Sequence, residues 1–457
     1  MAACDPWQRL EKLASHSSLL LLSPGRRQET DGSILIRRFR NLHYGWVIAA
    51  AGVLVLLSSI GLGRWSYAMQ LPGMQAGLHL SYSHMGLIGT GNFAGYLVAV
   101  LLSPLLVRRF LPRLTIVAGL LLIGCSMVVM SRCQGFILLL IFFALSGVGS
   151  GLANIPMMAL TAPWYHSDQR GKATGIVLCG NGIGILLSGF LVPRFNRIYG
   201  MQGWRAGWLT LGLIALAVAV TAGLLLRNHP LDMGLKPLGR GPLAAPKPAQ
   251  DPTPQLSPCE PAPRKDGSSR GVLVRLSLLY LAFGLTSSVY GTFIVTSMIH
   301  EYGLSERTAG FYWSWVGLCS LFSGVGFGTL SDRIGRRYSL AAVFGVHTVA
   351  YLLAGLKLGT PGLMVSIVLF GLSIFGVPTV ITAALGDHFS ASTIARALSI
   401  ATLFIAVGQT IGPVAAAAMA GARGIFTVAY LASALVTAAA ALYALTLPAR
   451  SKAPLSS

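Results

Sequence analysis

Apolar positions in this chain come in long unbroken runs rather than in alternation. Twelve such runs lie near 43–70, 83–107, 114–132, 137–161, 173–194, 204–226, 273–300, 308–330, 338–357, 361–386, 395–420 and 424–447, with short polar segments between most of them. A membrane-crossing helix needs about 20 apolar residues, and each run supplies them. Barrel strands would alternate over about 10 residues, and these runs do not. The pattern predicts an all-α membrane protein with twelve transmembrane helices. Residues 227–272 interrupt it: the stretch is Pro-rich and basic and has too few apolar residues for a packed core, so it reads as an extended linker. It divides a 43–226 bundle from a 273–448 bundle, with tails at 1–42 and 449–457. The run Leu19–Leu22 is too short for the core of a signal peptide.

Charge changes the picture in two ways. The formal net charge is +21, which in a soluble chain would suggest nucleic acid, but no basic soluble domain exists to hold one. With the N-terminus inside, 26 of the 34 Lys and Arg residues fall on inside segments and 7 on outside loops. That asymmetry predicts both termini and the linker in the cytoplasm. Arg37, Arg38 and Arg40, just before the first run, would meet the anionic headgroups of the bilayer. Arg64 is the remaining cation, the one basic residue inside an otherwise apolar span. A charge there is expensive unless it faces a cavity or a partner, so it marks a substrate or ion pathway. No acidic residue lies in the middle of any span. The partner expected for Arg64 is therefore an anionic small-molecule substrate.

The two halves repeat in parallel. Leu80, Ser81 and Gly86 match Leu304, Ser305 and Gly310; Arg109, Arg113 and Gly147 match Arg333, Arg337 and Gly371, all at an offset of 224. Such a repeat is the architecture of a two-bundle transporter with its site at the bundle interface near the midplane. The segment Gly328–Arg337, with Asp332, Arg333, Gly335, Arg336 and Arg337, resembles the loop signature of the major facilitator superfamily (MFS). The first-half copy carries Arg108 where the signature has Asp, and Phe143 stands where many drug exporters of the superfamily carry an arginine. Tyr44-Gly45-Trp46, and the run from Trp164 to Gly175, look more like the monocarboxylate and oxalate–formate branch. Carriers of that branch have a cation eighteen positions after the opening Gly-Trp, where this chain has Arg64. Gly61–Tyr67 and Asn92–Tyr96 look like bacterial permeases of unassigned substrate.

The resemblance implies that spans 1, 4, 7 and 10 line a cavity. With Arg64, the candidate substrate contacts are Tyr67 and Gln70 on span 1, Asn92 on span 2, Asn154 on span 4, Tyr290 on span 7, and Tyr312 and Trp313 on span 8. Asn181 and Gln409 stand in Gly-rich segments and read as packing or hinge positions. The candidate cytoplasmic gate comprises Arg108, Arg170, Asp332, Arg333, Arg337 and Asp387. Asp332 is expected beside Arg170 and Lys172 at the start of span 5, and Arg108 beside Asp387, when that end is closed. His347, in an outer span, reads as a structural histidine.

No phosphate loop, paired midplane carboxylates, H-E-x-x-H or G-x-S-x-G motif is present, and the six cysteines are scattered. No enzyme activity, cofactor or metal is expected. The reading is a secondary transporter of the bacterial inner membrane working by alternating access. Its favoured substrate is a small, monocarboxylate-like organic anion, with a proton as candidate co-substrate. The alternatives are an exporter of hydrophobic or aromatic compounds and a non-transporting membrane sensor.

Overall fold

The computed structural model describes residues 43–239, 266–390, 393–421 and 424–448. The tail 1–42 with its arginines, residues 240–265 of the Pro-rich stretch, and 449–457 lie outside the described residues. Residues through Tyr44 group apart from the rest, and the fold is that of Gly45 onward.

Apolar sequence becomes helix throughout, because every backbone polar group in lipid must be satisfied within its own segment. The first crossing is α1 (Tyr44–Leu56), a π-helical stretch (Leu57–Trp65) and α2 (Tyr67–Leu78). The others follow as α3 (Tyr82–Met130), α4 (Phe136–Thr161), α5 (Ser167–Tyr199), α6 (Gly203–Leu225), α7 (Asp266–His300), α8 (Glu306–Ile334), α9 (Arg336–Leu356), α10 (Gly359–Ser373), α11 (Gly376–His388), α12 (Ile394–Ala420) and α13 (Thr427–Ala444). Nine continuous stretches among the described residues are long and apolar enough to cross a membrane. Two of them, at 49 and 58 residues, are too long for one crossing at about 1.5 Å per residue. Each is broken: Leu111, before Pro112, leaves helical geometry at φ 66, and Gly200 turns at φ 55 between α5 and α6. With α8, whose 29 residues are rich in Ser and Gly, the crossings number twelve.

The repeat survives in detail. Ser81 caps α3 by accepting from His84 N at 3.2 Å, and its counterpart Ser305 caps α8 by accepting from Thr308 N at 3.2 Å. Gly147 packs on the backbone carbonyl of Asn92, and Gly371 packs on that of Val316, the same pair one repeat later. The outermost helices expose single apolar stripes, Leu213 and Val220 on α6 and Val428, Leu435 and Leu442 on α13. His347 on α9 is fully buried while Val349, Leu352 and Leu356 are exposed, so the histidine faces the bundle interior.

The bundles meet along α5–α8 and α3–α12. On α5, Gly175, Gly182 and Gly189 recur every seven residues; on α8, Gly310, Gly317 and Gly324 do the same. A Cβ on Gly182 would stand 2.7 Å from the carbonyl oxygen of Gly317, so no larger side chain fits that close crossing. Thr90 donates to the Thr410 carbonyl at 2.9 Å across α3–α12. At the end away from the Pro-rich stretch, Asn196 on α5 donates to Glu306 on α8 at 3.1 Å.

Residues 227–239 of the Pro-rich stretch pack back on the first bundle. Leu238 pairs with Tyr165, its N–H donating to the Trp164 carbonyl and its carbonyl accepting from His166, both at 2.9 Å. A short 3₁₀ turn, Pro230–Met233, is closed by a capping box between His229 and Asp232.

Candidate functional site

Arg64 is the penultimate residue of the π-helical stretch of the first crossing. All nine residues of that stretch are buried. Gly61 in it crosses α5 so closely that a Cβ would stand 2.8 Å from the Gly184 Cα. A π turn bonds i to i+5 and inserts one residue of phase into the helix face, a device concentrated at functional sites.

The Arg64 side chain is 7% exposed. Its guanidinium carbon lies 4.2 Å from the ring centroid of Tyr96 and 4.9 Å from that of Phe93, both on α3. Rings offer a cation their negative faces. Nη1 donates to Gln409 Oε1 on α12, in the second bundle, at 3.4 Å. Nε and Nη2 have no partner. Those two nitrogens share one edge of the planar guanidinium, and such an edge takes a carboxylate with two parallel hydrogen bonds. Beside it, Trp65 Nε1 and Asn92 Oδ1 are also buried without partners. Asn92 is oriented by its amide nitrogen, which donates to the Phe143 carbonyl at 3.0 Å and the Gly63 carbonyl at 3.4 Å. A cavity of about 10 Å³, room for little more than a water, touches Arg64, Trp65, Asn92 and Thr292. Buried polar atoms are seldom left unpaired, and here four such atoms belong to three residues that line one small cavity.

Asn154 on α4 joins the site indirectly, donating to Tyr96 Oη at 3.2 Å. Trp313 on α8 lies 6.5 Å from Trp65, ring to ring, and donates to Ser188 Oγ at 3.2 Å. Of the other sequence candidates, Tyr67 alone reaches the small cavity. Tyr67 borders the small cavity, but its hydroxyl donates to the Met85 carbonyl at 2.7 Å and its ring rests on Phe143. Gln70 is buried against Gly207 of α6 within the first bundle. Tyr290 sits in the second bundle's own core, bonded to Ser366 Oγ at 2.7 Å and stacked on Phe370. Tyr312 is half-buried beside Phe311.

Phe93, Tyr96, Trp65 and Gln409 are the site residues that sequence reasoning did not select. A signal for two of them existed: Asn92, Phe93 and Tyr96 fall on one face of α3 by helical spacing. Gln409 stands out in the sequence as an amide in a Gly-rich apolar run, but nothing there points to its partner, 345 positions away.

Among the gate candidates, Asp332 is bonded to Arg336 at 2.7 Å, and Arg336 also donates to Asp387 at 2.7 Å, tying α8, α9 and α11 within the second bundle. Arg108, Arg170 and Arg333 are exposed, and Arg337 donates to Tyr338 Oη at 2.7 Å. Arg170 stands on the wall of a second cavity, about 510 Å³, between α5, α8 and α11. Leu178, Cys179, Leu321, Phe375 and Thr379 are among the other residues lining it, and the lining is predominantly apolar.

A helical membrane protein of two repeated bundles, with a buried cation at their interface, defines the class of polytopic carriers. The family model of the Major Facilitator Superfamily matches residues 53–268 and 276–457, and the chain belongs to that superfamily. It is similar to a probable hexose phosphate transport protein of Chlamydia pneumoniae, 23% identical over 38% of this chain and 38% of that one. The chain thus matches well under half the length of that relative. It is also similar to monocarboxylate transporter 2 of Homo sapiens, 23% identical over 88% of this chain and 85% of the relative. The inward-open xylose transporter of E. coli shares the fold, with a TM-score of 0.67 at 14% identity, over 89% of this chain and 97% of that one.

Proposed function

We propose that this transporter carries a small organic monoanion whose carboxylate docks on the Nε and Nη2 edge of Arg64. The observation that carries the reading is that this buried edge has no partner. Trp65 Nε1 supplies a third donor to the same carboxylate, and Asn92 Oδ1 accepts from a hydroxyl on the neighbouring carbon. That donor set suits a 2-hydroxycarboxylate better than a simple fatty acid. The names of both curated relatives, a hexose phosphate carrier and a monocarboxylate carrier, support an anionic solute. The protein works by alternating access in the inner membrane of a bacterium, with both termini cytoplasmic. In the state closed at that end, Asp332 leaves Arg336 for the start of α5 near Arg170, and Arg108 meets Asp387. Export of a hydrophobic compound is the second reading, favoured by the apolar lining of the 510 Å³ cavity.

The test is binding of formate, acetate, glycolate, lactate and benzoate to the purified protein, read by thermal stabilisation. Arg64→Gln should lose stabilisation by every anion while keeping its own melting temperature within a few degrees. Arg64→Lys keeps the charge but loses the fork, and should bind about tenfold or more weakly, roughly 1.4 kcal/mol. Undiminished anion binding by Arg64→Gln would reduce Arg64 to an interfacial anchor.

A further inference from the structure

The two halves part company at the turn that follows the second crossing of each bundle. In the second bundle Gly335 turns the chain at φ 91, ψ 158. Arg336, the next residue, donates to Asp332 at the end of α8 and to Asp387 at the end of α11, each at 2.7 Å. One side chain thus ties three helix ends together. At the offset of 224, Leu111 stands for Gly335, Pro112 for Arg336 and Arg108 for Asp332. Leu111 keeps the turn, at φ 66, ψ 156, in a region that only glycine adopts freely. The ion pairs are not kept. Pro112 has no group that could donate, and the end of α4, which corresponds to the end of α11, reads Thr161-Ala162-Pro163-Trp164 with no carboxylate.

Residues 227–238 supply the missing link. Asn228 Oδ1 accepts from the backbone N–H of Arg113, the residue after Pro112, at 3.0 Å. The neighbouring Arg227 carbonyl accepts from the Trp164 indole at 3.2 Å. Two consecutive residues therefore join the restart of α3 to the end of α4, the counterparts of the two elements that Arg336 and Asp387 join. Arg113 Nε also donates to the Gly223 carbonyl of α6 at 3.1 Å. Further on, Leu238 donates to the Trp164 carbonyl and accepts from His166 N, both at 2.9 Å. The His166 carbonyl in turn accepts from Gln169 N at 3.1 Å and Arg170 N at 3.0 Å. The first turn of α5 is thus anchored on a residue that Leu238 holds. Trp164 and Tyr165 are buried, and Tyr165 Oη donates to the Gly45 carbonyl of α1. Arg170, Gly171 and Thr174, in the first turns of α5, line the 510 Å³ cavity.

We propose that residues 227–238 are a strap that replaces the ion-pair relay in the first bundle and positions the start of α5 against the second bundle. Asn228 and Leu238 are its positioning residues. The strap is carried by backbone groups, one amide and one indole, whereas the relay of the second bundle rests on Arg336, Asp332 and Asp387. Cutting the strap releases the α4–α5 connection and the first turn of α5. The helices α4 and α6 keep their own hydrogen-bond ladders, so the bundle itself stays folded. The separation of α5 from α8, and with it the width of the cavity between them, is then no longer set from the side of the first bundle.

The test uses the full chain in phosphatidylethanolamine–phosphatidylglycerol nanodiscs. Spin labels stand on Lys172→Cys of α5 and Thr329→Cys of α8, both exposed positions, in a background free of the native cysteines. Asn228→Ala removes the acceptor for Arg113 N–H, Asn228→Asp restores one, and Leu238→Pro removes the N–H that reaches Trp164. Trp164→Phe keeps a ring in the core and loses only the N–H to Arg227. Asn228→Ala, Leu238→Pro and Trp164→Phe should each change the ratio of short to long label distances by about threefold or more, as expected for one net hydrogen bond. Asn228→Asp should return the wild-type ratio. Hydrogen exchange at Gln169 and Arg170 should quicken in the three cut variants and stay unchanged in the first turn of α9. A lowered melting temperature with wild-type distances and exchange would make 227–238 an ordinary packed loop and overturn the proposal. An Asn228→Asp variant indistinguishable from Asn228→Ala would overturn it as well.

Discussion

At the scale of single residues, the site is built from what Arg64 lacks as much as from what it touches. Two rings and one amide stabilise the cation without neutralising it, and they hold the guanidinium buried and oriented for the anion proposed above. Tyr96 does two jobs that can be separated. Tyr96→Phe keeps the ring under Arg64 and removes the hydroxyl that accepts from Asn154. Hydrogen bonds between membrane helices are worth about 0.6 kcal/mol on average, so anion affinity should fall by less than about threefold. Tyr96→Leu removes the ring face, worth roughly 0.5–2 kcal/mol, and should weaken binding further than Tyr96→Phe in the same titration. Equal losses in the two variants would mean that the hydroxyl, and not the ring, is what matters to Arg64.

At the scale of elements, the glycine heptads of α5 and α8 give the interface a register. Gly182 and Gly189 are in contact with Gly317 and Gly310, yet Gly175, one heptad on, has open space around it. Gly175 and its counterpart Gly324 both line the 510 Å³ cavity. An unpacked glycine inside a helix forgoes about 1 kcal/mol relative to alanine. The same antiparallel register, continued, pairs Gly175 with Gly324, which explains why both are glycine if the cavity collapses in the other state. Gly182→Leu should therefore lower the melting temperature, by overpacking worth roughly 1–3 kcal/mol. Gly175→Ala should leave it unchanged or raised but slow transport. A cysteine pair at 175 and 324 should cross-link during turnover and stop it; failure to cross-link during active transport would remove the seam from the cycle.

For the whole molecule, the distribution of Lys and Arg sets the expected orientation in the bilayer. The proposed cytoplasmic side of the Pro-rich stretch rests on the charge asymmetry of 26 cations against 7. A single cysteine introduced within 240–265 should resist an impermeant maleimide in intact cells, whereas one at 79–81 should react. Labelling at equal rates would reverse the assignment and with it the side on which the large cavity opens.

The sequence determined by itself what depends on local composition. Runs of about 20 apolar residues must become helices in lipid, the cationic loops bias their direction, and the 224-residue offset lays out two bundles; all twelve crossings were legible in this way. It also isolated Arg64, because a lone cation in an apolar run is visible without any partner. Tertiary structure alone decided what Arg64 faces. The π-helical stretch that sets its direction depends on close contacts with α5 and α4, and Gln409 meets it only because α12 packs beside α3. Tyr290 and Gln70 show the converse. Both looked like cavity donors on their own helices, but which face of a uniformly apolar helix turns inward is set by neighbouring helices, so Tyr290 came to lie among the aromatic rings of the second bundle and Gln70 against Gly207. Hydropathy fixes how deep a residue sits in the membrane; only packing between segments far apart in the chain fixes the direction in which its side chain points.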